Sequence, residues 1–259
     1  MVSNLSTIGF HFDDDASYRE AIQRLAADAF ERLACEPGDY AIWRSRTAAE
    51  IWFHITGDRD ASGALADRDV VGLTPFFEGL SDVAVEIVEA VVRSDDNDFE
   101  GAFLAWVNPD EETGLGVHQI VFDAVDFAAH CDRPMPFHAR AKLTGFAREI
   151  KIVKADDEAA RARLLSSARS FMSIGLFSDM GSGQGTANDP PSSNALLTAR
   201  VVEHTTLTNE VTGADFHWFL VQSADATFDI LADPVLVPSG VTVGTLLQVG
   251  CLFFGRIVG

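Results

Sequence analysis

Strand-length runs of alternating apolar and polar residues outnumber helix-period runs along this chain, which predicts an α+β protein rich in antiparallel sheet. The clearest stretch is 194–259. Leu197, Ala199 and Val201 alternate within Leu196 to Leu207, and Thr208-Asn209-Glu210-Val211-Thr212-Gly213 supplies a polar, glycine-ended turn. Phe216 to Gln222 and Thr227 to Ala232 read as two further strands. Asp233-Pro234 then interrupts the pattern, because proline cannot donate to a central ladder. Val243 to Val258 is nearly all apolar and carries Gly244, Gly250 and Gly255. Glycines inside a strand mark bulges or bends, so this run predicts a long curved strand that closes a small barrel.

The N-terminal part predicts a βαβββ module over 5–77. Leu5 to Phe12 reads as a strand, and Ser17 with Glu20 three residues on forms a capping-box pattern. Tyr18, Ile22, Leu25, Ala26, Ala29 and Phe30 then fall on one helical stripe, extending the helix to Phe30 or Arg32. Glu36-Pro37-Gly38-Asp39 is a turn, followed by strands at Tyr40 to Arg44, Glu50 to Thr56 and Val70 to Phe77. Val83 to Arg93, Gly101 to Val107 and Val117 to Val125 continue as a β meander, with polar turns between them. Ala139 to Val153 fits both strand and helix periods. Ala155 to Arg169 reads as a helix, with Asp156, Asp157 and Glu158 at its start and Arg161, Arg163 and Arg169 later. The glycine- and serine-rich stretch 178–193 reads as a flexible linker. The expected division is therefore an α+β domain over 1–177, the linker, and an OB-like antiparallel β barrel over 194–259.

Composition narrows the partners. The 259 residues carry 19 Lys and Arg against 39 Asp and Glu, a formal net charge of −20. Such a field repels nucleic acid and anionic membranes and favours a basic or neutral partner. Cys35, Cys131 and Cys251 are odd in number and widely spaced, which fits reduced thiols in a cytoplasmic protein. The early Asp13-Asp14-Asp15 argues against a targeting leader, and the apolar C-terminal run is too interrupted for a membrane span.

Several local signatures resemble a family of bacterial proteins of unknown function: Ser6-Thr7-Ile8-Gly9-Phe10, Gly72-Leu73-Thr74-Pro75-Phe76-Phe77, Ser170 to Phe177, and Asp229 to Pro234 with Gly255-Arg256-Ile257. The resemblance spans nearly the whole chain and implies a bacterial origin without bringing an activity. The element order of 5–77 is also similar to one module of the vicinal oxygen chelate superfamily, which implies a divalent metal held on a sheet face. No helix follows Val83 to Arg93, so the second such module is missing. The last segment looks like an oligonucleotide/oligosaccharide-binding barrel.

The candidate chemistry follows from these placements. His11, His54 and Glu78 come from neighbouring predicted strands, and two imidazoles with one carboxylate suit Fe(II), Mn(II) or Zn(II). The aromatic alternative is a ligand surface of Trp52, His54, Phe216 and Trp218. Two carboxylate pairs, Asp229 with Asp233 and Asp123 with Asp126, are accounted for by acidic composition and turn chemistry. Gly181 to Gly185 lacks the Lys-Ser/Thr of a phosphate loop, and the sequence offers no nucleophile motif and no catalytic residue. The leading expectation is a non-catalytic binding or interaction protein needing no cofactor. The alternatives are a metal-dependent enzyme and a barrel that binds single-stranded nucleic acid or oligosaccharide.

Overall fold

The computed structural model of the chain describes residues 2–12, 14–60, 65–153, 170–176 and 190–258. The expected helix over 155–169 and most of the expected linker lie outside them. Among the described residues the protein is mainly β, with one α-helix, α1 (Asp15–Asp28). No described helix is long and apolar enough to cross a membrane.

The first segment departs from the expected strand. Ser6–Ile8 form a single turn of 3-10 helix, and Gly9, with φ of 80°, ends it. Phe10 is driven into the core instead of joining a ladder. α1 is capped by Asp14, whose carboxylate accepts from Ser17 N at 2.7 Å while Ser17 Oγ accepts from Asp14 N. The capping box therefore starts three residues before the one read from Ser17 and Glu20. Only Leu25 of the helix is buried, and the chain leaves helix before Phe30, which is 78% exposed. The residues after it form a strand that the helical stripe had hidden, β1 (Glu31–Cys35).

β1 pairs with β2 (Gly38–Arg44), which continues through β3 (Ala49–Arg59) and β4 (Leu65–Phe77) as a four-stranded antiparallel sheet. The observed order is αββββ, so the βαβββ expectation holds for the helix and the last strands and fails at the first strand.

All other strands form one second sheet. The expected meander is β5 (Val83–Val91), β6 (Ala102–Val107) and β7 (His118–Ala124), and the ambiguous 139–153 run is a strand, β8 (Phe137–Ile152). A short strand, β9 (Phe171–Ser173), edges the sheet beside β10 (Asn194–Thr208). β11 (Asp215–Ser223), β12 (Ala226–Ala232) and β13 (Leu246–Val258) complete it.

The pairing runs across the expected division of the chain. β10, β11, β12 and β13 do not close among themselves. The hydrogen-bonded circuit runs β10-β11-β12-β8-β13 and back to β10, so the barrel read over 194–259 takes a strand from the other side of the 178–193 stretch. A second circuit, β5-β6-β7-β13-β8, is wired the same way. Each half is a three-stranded meander plus a long fourth strand that pairs antiparallel with the meander's first strand. That fourth strand also runs parallel beside the third strand of the other half, and the two fourth strands pair with each other. Exchanging the halves leaves the pairing scheme unchanged.

Sequence details repeat with the scheme. Phe122-Asp123 on β7 corresponds to Phe228-Asp229 on β12. The residue after each aspartate registers with a glycine of the opposite fourth strand, Ala124 with Gly255 and Ile230 with Gly145. These glycines permit close approach: a Cβ on Gly255 would lie 2.3 Å from Phe122 Cδ2, and one on Gly145 would lie 2.6 Å from Ile230 Cδ1. Gly250 does the other job expected of a strand glycine, standing at the bulge between Gly250 and Cys251.

Two large cores result. Phe103, Phe122, Leu143, Phe219, Phe228 and Phe253 belong to the one inside the double circuit. Phe10, Tyr40, Trp52 and Phe53 of the N-terminal part, with Phe99 from between β5 and β6, pack on Phe146, Phe216, Trp218, Leu231 and Phe254, which form the other face of the same strands. β11 is thus covered on both faces, with Phe216 and Trp218 toward one core and Phe219 and Val221 toward the other.

Candidate functional site

The residues singled out for metal do not converge. His11 is half exposed and 3.7 Å from Asp233. Glu78 sits between two guanidiniums, 2.8 Å from Arg44 Nη2 and 3.3 Å from Arg256 Nη1. His54 is buried away from both, and among the described residues no group of three or more His, Cys, Asp or Glu is placed to hold a metal ion. The physical reason lies in the N-terminal segment: without a first strand, His11 has no ladder to carry it to the sheet face.

The aromatic set is core. Trp52, Phe216 and Trp218 are 0%, 0% and 6% exposed, so they offer no open stacking face. Their polar atoms are engaged in structure: Trp52 Nε1 donates to Glu50 at 2.7 Å and Trp218 Nε1 to Asp229 at 2.7 Å. The two aspartate pairs also separate. Asp233 caps the 3-10 turn at Val235, and Asp126 accepts from Ile257 N at 3.0 Å.

His54 has a different task. Its ring stacks on Phe99 at 5.2 Å, and Tyr40 stands edge-on to both. Thr74 Oγ1 lies 3.2 Å from Nε2 and Asn97 Nδ2 3.4 Å from Nδ1. Burial pushes the imidazole down to about 4, so it is neutral at physiological pH. Tyr40 Oη donates to the Phe99 carbonyl at 2.7 Å and accepts from Ala128 N at 3.0 Å. These contacts pin the 92–101 loop that joins β5 to β6.

That loop carries the polar chemistry of the molecule. Asp96 folds back onto Arg93 N at 2.8 Å, and Asn97 N donates to Glu100 at 3.2 Å. Arg93 Nη2 and Asp123 Oδ1, both buried, form an ion pair at 2.8 Å and have no other polar partner among the described residues. Ser193 Oγ donates to the other oxygen of Asp123 at 2.8 Å. A cleft of about 240 Å³ opens here, lined by Asn4, Thr74, Arg93, Asp96, Glu100 and Asp123. An adjoining cleft of about 520 Å³ shares Asp96 and Glu100 and adds Glu36, Asp98 and Asp132. Six carboxylates and one guanidinium therefore line the two clefts, which have Asp96 and Glu100 in common.

The duplicated architecture shows how this site departs from its counterpart. Asp229, fully buried, accepts from Leu80 N, Ser81 N and Trp218 Nε1 at 3.1, 2.7 and 2.7 Å. Leu220 registers with Asp229 and Ala102 with Asp123, so the place Trp218 holds two residues before Leu220 is held by Glu100 in the other half. One half puts an indole N–H on its aspartate; the other puts a second carboxylate beside it. Burial and then the neighbouring acids Asp96, Asp123 and Asp95 raise Glu100 above the ordinary carboxylate range. Burial likewise raises Asp123, against the pull of Arg93.

Of the groove's charged residues, the sequence raises only Asp123 as candidate chemistry, and only as half of a pair with Asp126. Arg93 reads as a strand end, Asp96 as part of a polar turn, and Glu100 falls between that turn and the next strand. The visible signal was the repeat of Phe-Asp on β7 and β12.

The fold and clefts together define a mainly β, α+β protein of duplicated design with an acidic cleft lining. Searches against protein-family models, curated proteins and solved structures found no match.

Proposed function

We propose that the protein is a non-catalytic binding protein that takes up a basic segment of a partner protein in the groove along the 92–101 loop. The observation that carries this reading is the shared lining of two clefts by Asp96 and Glu100, with Asp123 at one end and Asp132 at the other. A lysine or arginine side chain entering the smaller cleft meets Glu100 and Asp123, whose proton affinity burial raises and which an added cation would hold in the charged form. The formal net charge of −20 steers such a partner and repels nucleic acid. The same reading includes an OB-like character for the β10-β11-β12-β8-β13 circuit, supported by a meander closed through a parallel strand. The buried aromatics weigh against a stacking role for that barrel.

Fluorescence anisotropy with a labelled lysine- and arginine-rich peptide tests the proposal. Saturable binding that weakens roughly tenfold or more between 20 mM and 300 mM salt, and falls in an Asp96→Asn/Glu100→Gln variant, is the expected result. Absence of binding at low salt overturns it.

A further inference from the structure

A second polar constellation lies away from the groove, on the β10–β11 ribbon. His204 on β10 registers with Phe219, and Thr206 registers with His217, so the two histidines are diagonal neighbours across an antiparallel pair. The His204 ring lies flat over the buried Phe219, 4.2 Å away and 13° from parallel, which fixes its plane. His204 Nε2 and His217 Nδ1 are 3.0 Å apart. Both residues are half-buried, with Thr205 and Thr206 exposed beside them. Burial lowers both imidazoles; His217 lowers His204 further, and Asp215 opposes the lowering of His217, so the net direction in both favours the unprotonated, metal-ligating form.

We propose that His204 and His217 chelate a divalent first-row transition-metal ion, with Zn(II), Ni(II) and Cu(II) as the class that fits. Two metal–nitrogen bonds of about 2.0–2.1 Å meeting at roughly 90–105° hold their nitrogens about 2.8–3.3 Å apart, so the pair, 3.0 Å apart as a hydrogen bond, needs only in-plane turns of the rings to aim both lone pairs at one ion. Imidazole suits these ions, and Cu(II) binds most tightly in the usual affinity order. In the metal-free pair one nitrogen donates its proton to the other. On binding, that ring shifts its proton to its remaining nitrogen, leaving Nε2 of His204 and Nδ1 of His217 as the two donors with no net proton release. Water fills the other coordination positions, since among the described residues no third His, Cys, Asp or Glu completes a cluster. The acidic field of the chain concentrates cations without supplying this selectivity.

Isothermal titration with zinc chloride and nickel chloride in a non-coordinating buffer reads the site directly. The expected result is one ion per chain at micromolar to sub-millimolar affinity, weakened at least tenfold in His204→Ala and in His217→Ala. His138→Ala, at a histidine whose side chain is 62% exposed, is expected to bind as the parent does. Circular dichroism confirms that the variants are folded, and a Cu(II) electron paramagnetic resonance spectrum with two nitrogen couplings, lost in either variant, gives a readout independent of stability. Equal affinity in the His204→Ala/His217→Ala double variant, or no binding up to millimolar zinc, overturns the proposal.

Discussion

Replacing Asp229 by alanine separates the two halves of the duplicated sheet energetically. Asp229 is 0% exposed, and its carboxylate is the acceptor for Ser81 N and Trp218 Nε1 at 2.7 Å each and for Leu80 N at 3.1 Å. Leu80 is 59% exposed, so its N–H can turn to water, whereas Ser81 and Trp218 are enclosed. Two stranded donors at about 1–3 kcal/mol each cost about 2–6 kcal/mol. Removing a carboxylate whose charged form burial disfavours returns part of this, leaving a net loss of about 3 kcal/mol. The equivalent Asp123→Ala change is expected to cost less, about 1–2 kcal/mol, because the Ser193 hydroxyl and the Arg93 guanidinium it leaves behind border a cleft that water can enter. Urea denaturation of the two variants beside the parent, followed by tryptophan fluorescence, supplies both values. Equal losses would refute the claim that one aspartate is a structural tie and the other a site residue.

Other consequences are independent of that comparison. Gly255→Ala drives a Cβ to 2.3 Å from Phe122 and 3.0 Å from Leu143 and is expected to destabilise by about 1–3 kcal/mol, while Gly250→Ala meets only Glu149 Cβ at 3.9 Å and is expected to be neutral or slightly stabilising; paired melting temperatures decide this. Glu100 and Asp123 bind protons more readily in the folded chain than at their ordinary values of 4.5 and 3.8. The stability they contribute is therefore complete below those values and is lost as pH rises through the raised ones. Glu100→Gln/Asp123→Asn should flatten the fall in melting temperature between pH 4 and pH 8, and an unchanged slope would contradict the assignment. Glu100→Gln alone should be as stable as the parent or more so at pH 8, since it removes a charge that burial and the acids Asp96, Asp123 and Asp95 disfavour.

Much of the fold was legible in the chain. Alternation located the meander at β5–β7 and the later strands β10–β13, because each has one face on a core and turn residues at its ends. The 139–153 run was ambiguous because β8 has neighbours on both edges and cores on both faces near Phe146, which erases the period-two signature. Helical spacing over Ala29 and Phe30 concealed β1, whose partner is supplied by the next hairpin and not by local preference. Leu5 to Phe12 alternated like a strand, yet Gly9 in the left-handed region and the Ser3–Ser6 hydrogen bonds fold it into a turn. The exchange of fourth strands between halves lies beyond any local pattern, since the partners of β8 come from both ends of the sequence. The site was less visible than the fold. Its acids are ordinary turn residues until His54, Phe99 and Tyr40 hold their loop against Asp123, and those contacts join four distant stretches.

The central claim is that position, and not total charge, makes the groove a receptor for a basic segment. The direct test compares peptide affinity in two variants that each remove three negative charges: Asp96→Asn/Glu100→Gln/Asp123→Asn in the groove, and Glu20→Gln/Glu111→Gln/Glu112→Gln at exposed sites elsewhere. The account predicts that the groove variant loses at least about tenfold in affinity while the surface variant changes less than about threefold. Equal losses in the two would contradict it.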